Sequence, residues 1–386
     1  MIYVDMPVAD CSGWGICGRN IIKELYNLTD IKLFSKSKIQ TENLMDRYFY
    51  NSLTASDQEI ADVQNGVLTS VDYPILESVP YGMPYFDLRQ LTTINLKGKK
   101  RVGYIFYEEN ILSDYFLNTI KANWDYIVAG SKWCEETLKF HGYNNTSTII
   151  QGVDPFLFHP RNNEKEMFQD KFVIFSGGKF EYRKGQDIVI KAFKVLQEKY
   201  KDVLLVNAWF NNSSYIMSMS LSEHIRFQPS SNHYPTMMNQ ILADNGVDPS
   251  GVINLMACYN SSMPSIFKNT DIGLFPNRCE GGTNLVLMEY MACGKPVIAS
   301  YNSGHRDILR DDNSIKINAM SDLPISFENN VVAIWENPDL DETISHLEWA
   351  YHNRDKLKPL GNKAAEDMSQ LGWKKITQEF VEVLNN

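Results

Sequence analysis

What this 386-residue chain does not contain narrows it first. No uninterrupted run approaches the roughly 18 apolar residues of a membrane-crossing helix, so no transmembrane segment is expected. Six cysteines (Cys11, Cys17, Cys134, Cys258, Cys279, Cys293) are scattered without a C-x-x-C pair or zinc-ligand spacing, which sets aside a disulfide framework and a structural zinc site. No repeat or low-complexity block occurs, so neither a solenoid nor a disordered tail is expected. Positive charge is in the minority, 37 Lys and Arg against 47 Asp and Glu, for a formal charge of −10. That balance disfavours an extended nucleic-acid or anionic-membrane surface, while a local basic cluster can still bind phosphate. The first residues carry no basic and apolar regions of a signal peptide, and a cytoplasmic location is expected. No D-x-D follows any of the strands expected below, so no metal site is expected.

What is present reads as ordinary globular protein, 44% hydrophobic and 22% charged, too long for one core. Short apolar runs alternate with helical patterns from end to end, the mark of βα units around parallel sheets. Strands are expected at 2–6, 31–34, 101–106 and 126–129, then at 171–176, 203–209, 252–256, 272–275 and 296–299. Helices are expected at 18–28, 113–123, 132–141, 186–200, 263–268, 285–293, 342–357 and 373–384. The stretch 41–96 is poorly periodic and its elements are left unassigned. A Gly-, Pro- and charge-rich passage from 151 to 165 divides the chain into domains 1–152 and 153–372, with a terminal helix, about 373–386, packing back on the first. Two doubly wound domains would face each other across a cleft, the usual place for a ligand.

Gly13-Trp14-Gly15-Ile16-Cys17-Gly18 matches G-x-G-x-x-G, and an NAD-linked oxidoreductase is the reading it invites. Six residues separate Met6 from Gly13, where the fingerprint wants its first glycine directly after the strand, and the next strand ends in Leu33-Phe34-Ser35-Lys36 with no acid for a ribose. The glycines either let a ligand approach a helix N-terminus, with Gly15 near a donor and Gly13 and Trp14 on the acceptor side, or serve packing alone.

The most informative segment is Pro276-Asn-Arg-Cys-Glu280-Gly-Gly282-Thr283-Asn284-Leu285-Val-Leu-Met-Glu289-Tyr-Met-Ala-Cys-Gly294-Lys-Pro. It reads as a strand end, a glycine loop, and a helix from about Thr283 that stops at Gly294. The loop would offer backbone amides to an anion, and a buried Glu289 in an apolar helix would need hydroxyl donors such as those of a ribose.

This segment resembles the paired-glutamate signature of the large family of retaining GT-B nucleotide-sugar glycosyltransferases, of the group 1 type. Glu280 and Glu289 stand one residue farther apart than in its usual form, E-G-F-G-L-P-x-L-E-A-M-A-C-G. Gly178-Lys179-Phe-Glu-Tyr-Arg-Lys184-Gly185 resembles the family's G-R-L-x-x-x-K-G segment, with Lys179 in place of arginine. The runs 128–136, 151–160 and 263–271 are also similar to the family, in its order. The resemblance implies a GT-B fold and a hexosyltransferase acting with retention and without metal on a UDP- or GDP-linked sugar. It implies that Lys179 and Lys184 hold the diphosphate, that the region of Glu280, Gly282, Thr283, Asn284, Leu285 and Glu289 holds the donor, and that no other cofactor is needed. The histidine common in the family's N-terminal domain is absent. Tyr107-Glu108-Glu109-Asn110 stands there, with Glu108 facing donor sugar or acceptor, or forming a solvated acidic loop. His305, after the next strand, is a further candidate for donor contact. The acceptor is left open among glycan, lipid-linked glycan, protein and modified base, with peripheral membrane contact compatible with these. A phosphorylase-like GT-B protein is a further alternative.

Overall fold

The computed structural model describes residues 1–34, 39–80, 96–161, 164–211 and 214–386. Ser35 and Lys36, used above against a dinucleotide site, and residues 81–95 of the unassigned stretch lie outside the described residues. The first domain carries a six-stranded sheet: β1 (Ile2–Asp5), β2 (Ile31–Leu33), β3 (Ile75–Pro80), β4 (Arg101–Phe106), β5 (Tyr126–Ala129) and β6 (Thr146–Thr148). Their order is β2-β1-β3-β4-β5-β6, every pairing parallel. The second domain carries β7 (Phe172–Gly177), β8 (Val203–Ala208), β9 (Val252–Asn254), β10 (Ile272–Phe275), β11 (Val297–Ser300) and β12 (Ile315–Ile317), in the order β12-β11-β10-β7-β8-β9. These strands are also parallel. Strands β1, β7, β10 and β11 are buried along their whole length, as sheets covered by helices on both faces require.

The helices are α1 (Gly13–Tyr26), α2 (Leu44–Leu53), α3 (Asp57–Gln64), α4 (Asp114–Asn123), α5 (Lys132–Phe140), α6 (Gln186–Lys199), α7 (Tyr234–Asp244), α8 (Met263–Lys268), α9 (Leu285–Ala292), α10 (Leu340–His352), α11 (Leu357–Ser369) and α12 (Trp373–Asn385). Serine side chains at 12, 56, 113 and 131 cap α1, α3, α4 and α5. The chain crosses between domains twice, side by side: the Val153 amide donates to the Leu371 carbonyl at 2.8 Å. After the second crossing α12 lies on the first domain, burying Trp373, Ile376, Phe380 and Leu384 among Val4, Ile21 and Tyr104.

Several elements escaped the sequence reading for definable reasons. Strand β3 carries Glu77 at its centre, fully buried but bonded to Arg101 and to the Trp124 indole N–H (2.8 Å). Helices α2 and α3 are largely exposed on one side and short, and α7 opens on Pro235. A two-stranded hairpin, β13 (Met320–Phe327) and β14 (Asn330–Pro338), stands outside both sheets. Its signal was present: Leu323, Ile325 and Phe327 alternate before Glu328-Asn329 and an unbroken apolar run, 331–335, follows; the two turn residues take φ of +46° and +66°.

Candidate active site

In the second sheet the order reverses between β7 and β10, so the loops after these strands flank a crevice at the carboxyl ends. Facing them lie the segment before α1 and the loop after β4. Together they line one cleft of about 650 Å³.

The loop after β7 is held in one shape by packing beneath it. Gly185 takes φ +70°, and a side chain there would also collide with the Pro276 carbonyl. Arg278 is wholly buried, pairs with both oxygens of Asp187 at 2.8 Å, donates to the Tyr182 carbonyl at 2.5 Å and stacks on the Tyr182 ring at 3.8 Å. The turn bearing Arg183 and Lys184 is thereby fixed against the strand end bearing Glu280.

Arg183 is the cation the sequence reading passed over, although it stands between the two quoted basic residues. Its guanidinium meets Glu181 at 2.7 Å, Glu280 at 3.1 Å and Glu108 at 3.4 Å. Lys184 Nζ pairs with the other Glu280 oxygen at 2.5 Å, and Lys179 stands exposed on the rim. Glu280 is buried; that alone would raise its pKa, but Lys184 and Arg183 hold it at about 2. Glu108 moves the other way: burial, reinforced by Glu280 and Glu181, outweighs Arg183 and raises it. Glu108 is therefore part of an ion-paired cluster and not a solvated loop. Its carbonyl accepts from the Trp335 indole N–H at 2.7 Å, and Asn110 exchanges hydrogen bonds with the Ile334 backbone at 2.8 and 3.2 Å, so the hairpin clasps this loop across the cleft.

The glycine loop differs from expectation in detail. Gly281 is pressed on the Tyr107 backbone and its carbonyl accepts from Ser131 Oγ at 2.7 Å. The Thr283 amide is taken by Gln151 at 3.3 Å, and α9 begins at Leu285, as the helical pattern 285–293 predicts and not at Thr283. Asn284, at φ +62°, caps the Leu287 amide, leaving Leu285 and Val286 as the first-turn residues that line the cleft. His305 fixes that cap. Burial lowers its pKa to about 4, so it is neutral at pH 7. Its Nδ1 faces the Ser300 carbonyl at 3.1 Å and so carries the proton, leaving Nε2 to accept from Asn284 Nδ2 at 3.2 Å.

Glu289 faces the cleft from the second turn of α9, buried, accepting from Asn260 Nδ2 at 2.7 Å. Burial pushes its pKa up to about 8. Of the expected site residues, Gly13, Trp14, Glu108, Lys179, Lys184, Glu280, Gly282, Asn284, Leu285 and Glu289 line one cleft. Gly15, Thr283 and His305 do not. Gly15 lies inside α1 against Ala9, Thr283 turns toward Gln151, and His305 sits behind Asn284. The whole Gly13 to Gly18 run is helix, and side chains at Gly15 and Gly18 would strike the Ala9 and Pro7 backbone. Gly15 and Gly18 thus serve packing inside α1, whereas a side chain at Gly13 would meet no atom and that residue lines the cleft at the first turn of the helix. Among the described residues no cluster of three or more His, Cys, Asp and Glu could hold a metal, and no helix is long and apolar enough to cross a membrane.

Gly281 is where the two domains approach most tightly beside this site, with no room for a side chain against the Tyr107 backbone. Gly281→Ala is expected to collide with the Tyr107 backbone and hold the domains apart, since overpacking at such contacts costs roughly 1–3 kcal/mol. Small-angle scattering of the variant should report a more open particle with each domain still folded. An unchanged scattering profile would show that this contact does not set the closure.

Comparison with known proteins places the second domain. Residues 170–337 match the family described as Glycosyl transferases group 1. An uncharacterized glycosyltransferase of Methanocaldococcus jannaschii is 24% identical over 272 residues, covering 70% of this chain and 62% of that protein. Spore coat protein SA of Bacillus subtilis is 20% identical over 252 residues, 62% of this chain and 58% of that one. The chain thus spans about three fifths of the length of the curated relatives it matches. Among solved structures, sucrose-phosphate synthase from Thermosynechococcus elongatus superposes with a TM-score of 0.66 at 14% identity, covering 99% of this chain and 97% of that one. HepE of Anabaena in complex with UDP-glucose superposes at 0.64 and 15% identity, over 100% and 98%.

Proposed function

We propose, for a chain whose residues 170–337 match the group 1 glycosyl transferases and whose facing sheets make a GT-B fold, that it moves a glycosyl group from a nucleotide-sugar donor to an acceptor hydroxyl. The observation that carries this is the convergence on one cleft of Arg183, Lys184, the first turn of α9 and Glu289. The first three supply positive charge where a diphosphate would leave; the last is a buried oxygen acceptor lacking the donors that a ribose diol would bring. UDP is the first nucleotide to test, because HepE was solved with UDP and with UDP-glucose.

In the proposed reaction the bond between the sugar's anomeric carbon and the diphosphate oxygen breaks as the acceptor oxygen bonds to the same face of that carbon. Configuration is retained, as the family resemblance implies, and the acceptor proton passes to the departing phosphate oxygen. Arg183 and Lys184 stabilise the charge that builds there, so no divalent ion is required for it. Turnover is expected to persist within about twofold in excess EDTA, a bound inferred from that fixed charge. Loss in EDTA with recovery in manganese would remove metal independence from the proposal.

A panel of UDP-, GDP- and ADP-linked sugars, read by thermal shift and by slow hydrolysis without acceptor, tests the whole reading. One class of donor is expected to stabilise the protein, and Lys184→Ala and Glu289→Ala to weaken that shift. If no donor shifts the unfolding, or both variants shift like the parent, the site is wrongly assigned.

A further inference from the structure

Glu289 does not meet the cleft alone. Asn260, in the turn that leads into α8, donates from Nδ2 to Glu289 Oε1 at 2.7 Å, and its side-chain oxygen accepts from Arg19 Nη2 at 3.3 Å. Arg19 projects from α1 in the other domain, and its second nitrogen pairs with Asp10. Asp10 closes the circuit, for its carbonyl accepts from the Asn260 amide at 3.0 Å and its other carboxylate oxygen accepts from the Glu42 amide at 2.7 Å. The Arg19 carbonyl is itself held by the Tyr50 hydroxyl at 2.9 Å. Asp10, Asn260 and Glu289 are each less than one-tenth exposed, and all three line the cleft.

The sense of each bond matters. Asn260 can donate to Glu289 only while its amide oxygen is turned away, and Arg19, a donor with no acceptor, holds that oxygen turned. A guanidinium in the first domain therefore sets which face of the amide the carboxylate of the second domain meets. The carboxylate keeps one oxygen on Asn260 and has the other for a ligand. Separating the domains would remove both Arg19 and the Asp10 carbonyl from Asn260, and the carboxylate would lose its orientation.

We infer that Arg19 and Asn260 are positioning residues that aim Glu289 at the donor ribose from across the cleft, so that ribose recognition depends on the closed arrangement of the domains. The inference rests on the donor reading of the cleft. Neither side chain takes part in the transfer itself; Arg19 acts on the nucleotide only through Asn260 and Glu289.

The experiment compares the affinity of the full chain for UDP and for 2′,3′-dideoxy-UDP by calorimetry, or for the GDP pair if the panel selects guanine. The ratio of the two affinities measures ribose recognition and is insensitive to a general loss of fold. The parent is expected to prefer the ribonucleotide, and Glu289→Gln to erase most of that preference. Asn260→Ala should lower the ratio about tenfold, the scale of one charge-assisted hydrogen bond. Arg19→Lys keeps a cation for Asp10 but loses the fork that also reaches Asn260, so it should lower the ratio while unfolding near the parent temperature. If Glu289→Gln lowers the ratio while Arg19→Lys and Asn260→Ala leave it unchanged, the positioning role is overturned and the donor reading stands. A parent that binds no nucleoside diphosphate, or one that ignores the missing hydroxyls, overturns both.

Discussion

Arg183→Ala is expected to lower turnover of the donor by about two to three orders of magnitude, the range seen when one preorganised charge is removed from a developing anion. The guanidinium lies among three carboxylates, Glu181, Glu280 and Glu108, at 2.7, 3.1 and 3.4 Å. Two separate losses follow from its removal. A departing diphosphate loses a fixed cation, and the carboxylates lose the charge that keeps them from repelling the same anion. Of its two cations Glu280 would retain only Lys184, at 2.5 Å, beside the neutral Asn277 amide that also donates to it. Arg183→Lys should fall between parent and alanine variant, because an ammonium cannot span Glu181 and Glu280 as a planar fork does. Lys179→Ala, on the exposed rim, should cost only a few fold, since an exposed charge is screened by solvent. Initial rates of nucleotide release at saturating donor make the comparison. An Arg183→Ala rate within threefold of the parent would move the charge-bearing role elsewhere in the cleft.

The contrast between Arg183 and Lys179 also marks how far the sequence could be read. The apolar runs that became β4, β5 and β10 were legible to the residue, because strands buried on both faces leave uninterrupted apolar text. Helix α9 was legible through its apolar pattern from Leu285 and Gly294 behind it, and Asn284 caps its start. What linear pattern could not supply was partnership across the cleft. Glu77 reads as a surface residue until Arg101 and Trp124 are placed around it, and β3 goes unseen with it. Arg278 reads as one more charge in a loop, yet it is buried because Asp187, far away in sequence, and the Tyr182 ring neutralise and cover it. His305 was drawn toward the donor because it follows a strand of the second sheet; the structure uses it one step back, on Asn284. The hairpin, by contrast, had a readable turn at Glu328-Asn329, and only its docking on residues 108–111 needed three dimensions.

Those cross-cleft partnerships give the site two carboxylates in opposite states. Glu280, between Lys184 and Arg183, is held at about 2 and is ionised throughout the ordinary pH range. Glu289, with an amide for a neighbour and no direct cation, is raised to about 8 by burial and is protonated in the empty cleft at neutral pH. A carboxylate already neutralised by its own ion pairs offers little to an incoming diphosphate except the cations that hold it. A carboxyl kept neutral by burial is the one whose state changes when a polar ligand arrives.

Glu289→Gln is therefore expected to stabilise the empty protein at alkaline pH while weakening nucleotide binding. The sign follows from proton uptake. An unfolded glutamate titrates near 4.5 and the folded Glu289 near 8, so between these values the native state binds more protons than the unfolded state, and stability falls as pH rises. Each unit of displacement is worth about 1.4 kcal/mol, which makes the accumulated loss a few kcal/mol by pH 8.5. Glutamine keeps the shape and the contact with Asn260 without a proton to lose. Its melting temperature should match the parent near pH 5 and exceed it by several degrees near pH 8.5. Nucleotide binding should change in the opposite sense. Ribose hydroxyls are donors and favour the ionised carboxylate, so binding in the parent expels a proton and should tighten as pH rises from 6 to 8. In the glutamine variant that part of the pH dependence disappears, and the nucleotide's own phosphate ionisation, common to both proteins, cancels in the comparison. Melting curves and calorimetric titrations across that range test both signs together. Parallel melting curves for the two proteins from pH 5 to 8.5 would mean that Glu289 is already ionised in the empty cleft, and an equal pH slope of binding would mean that it does not meet the ribose.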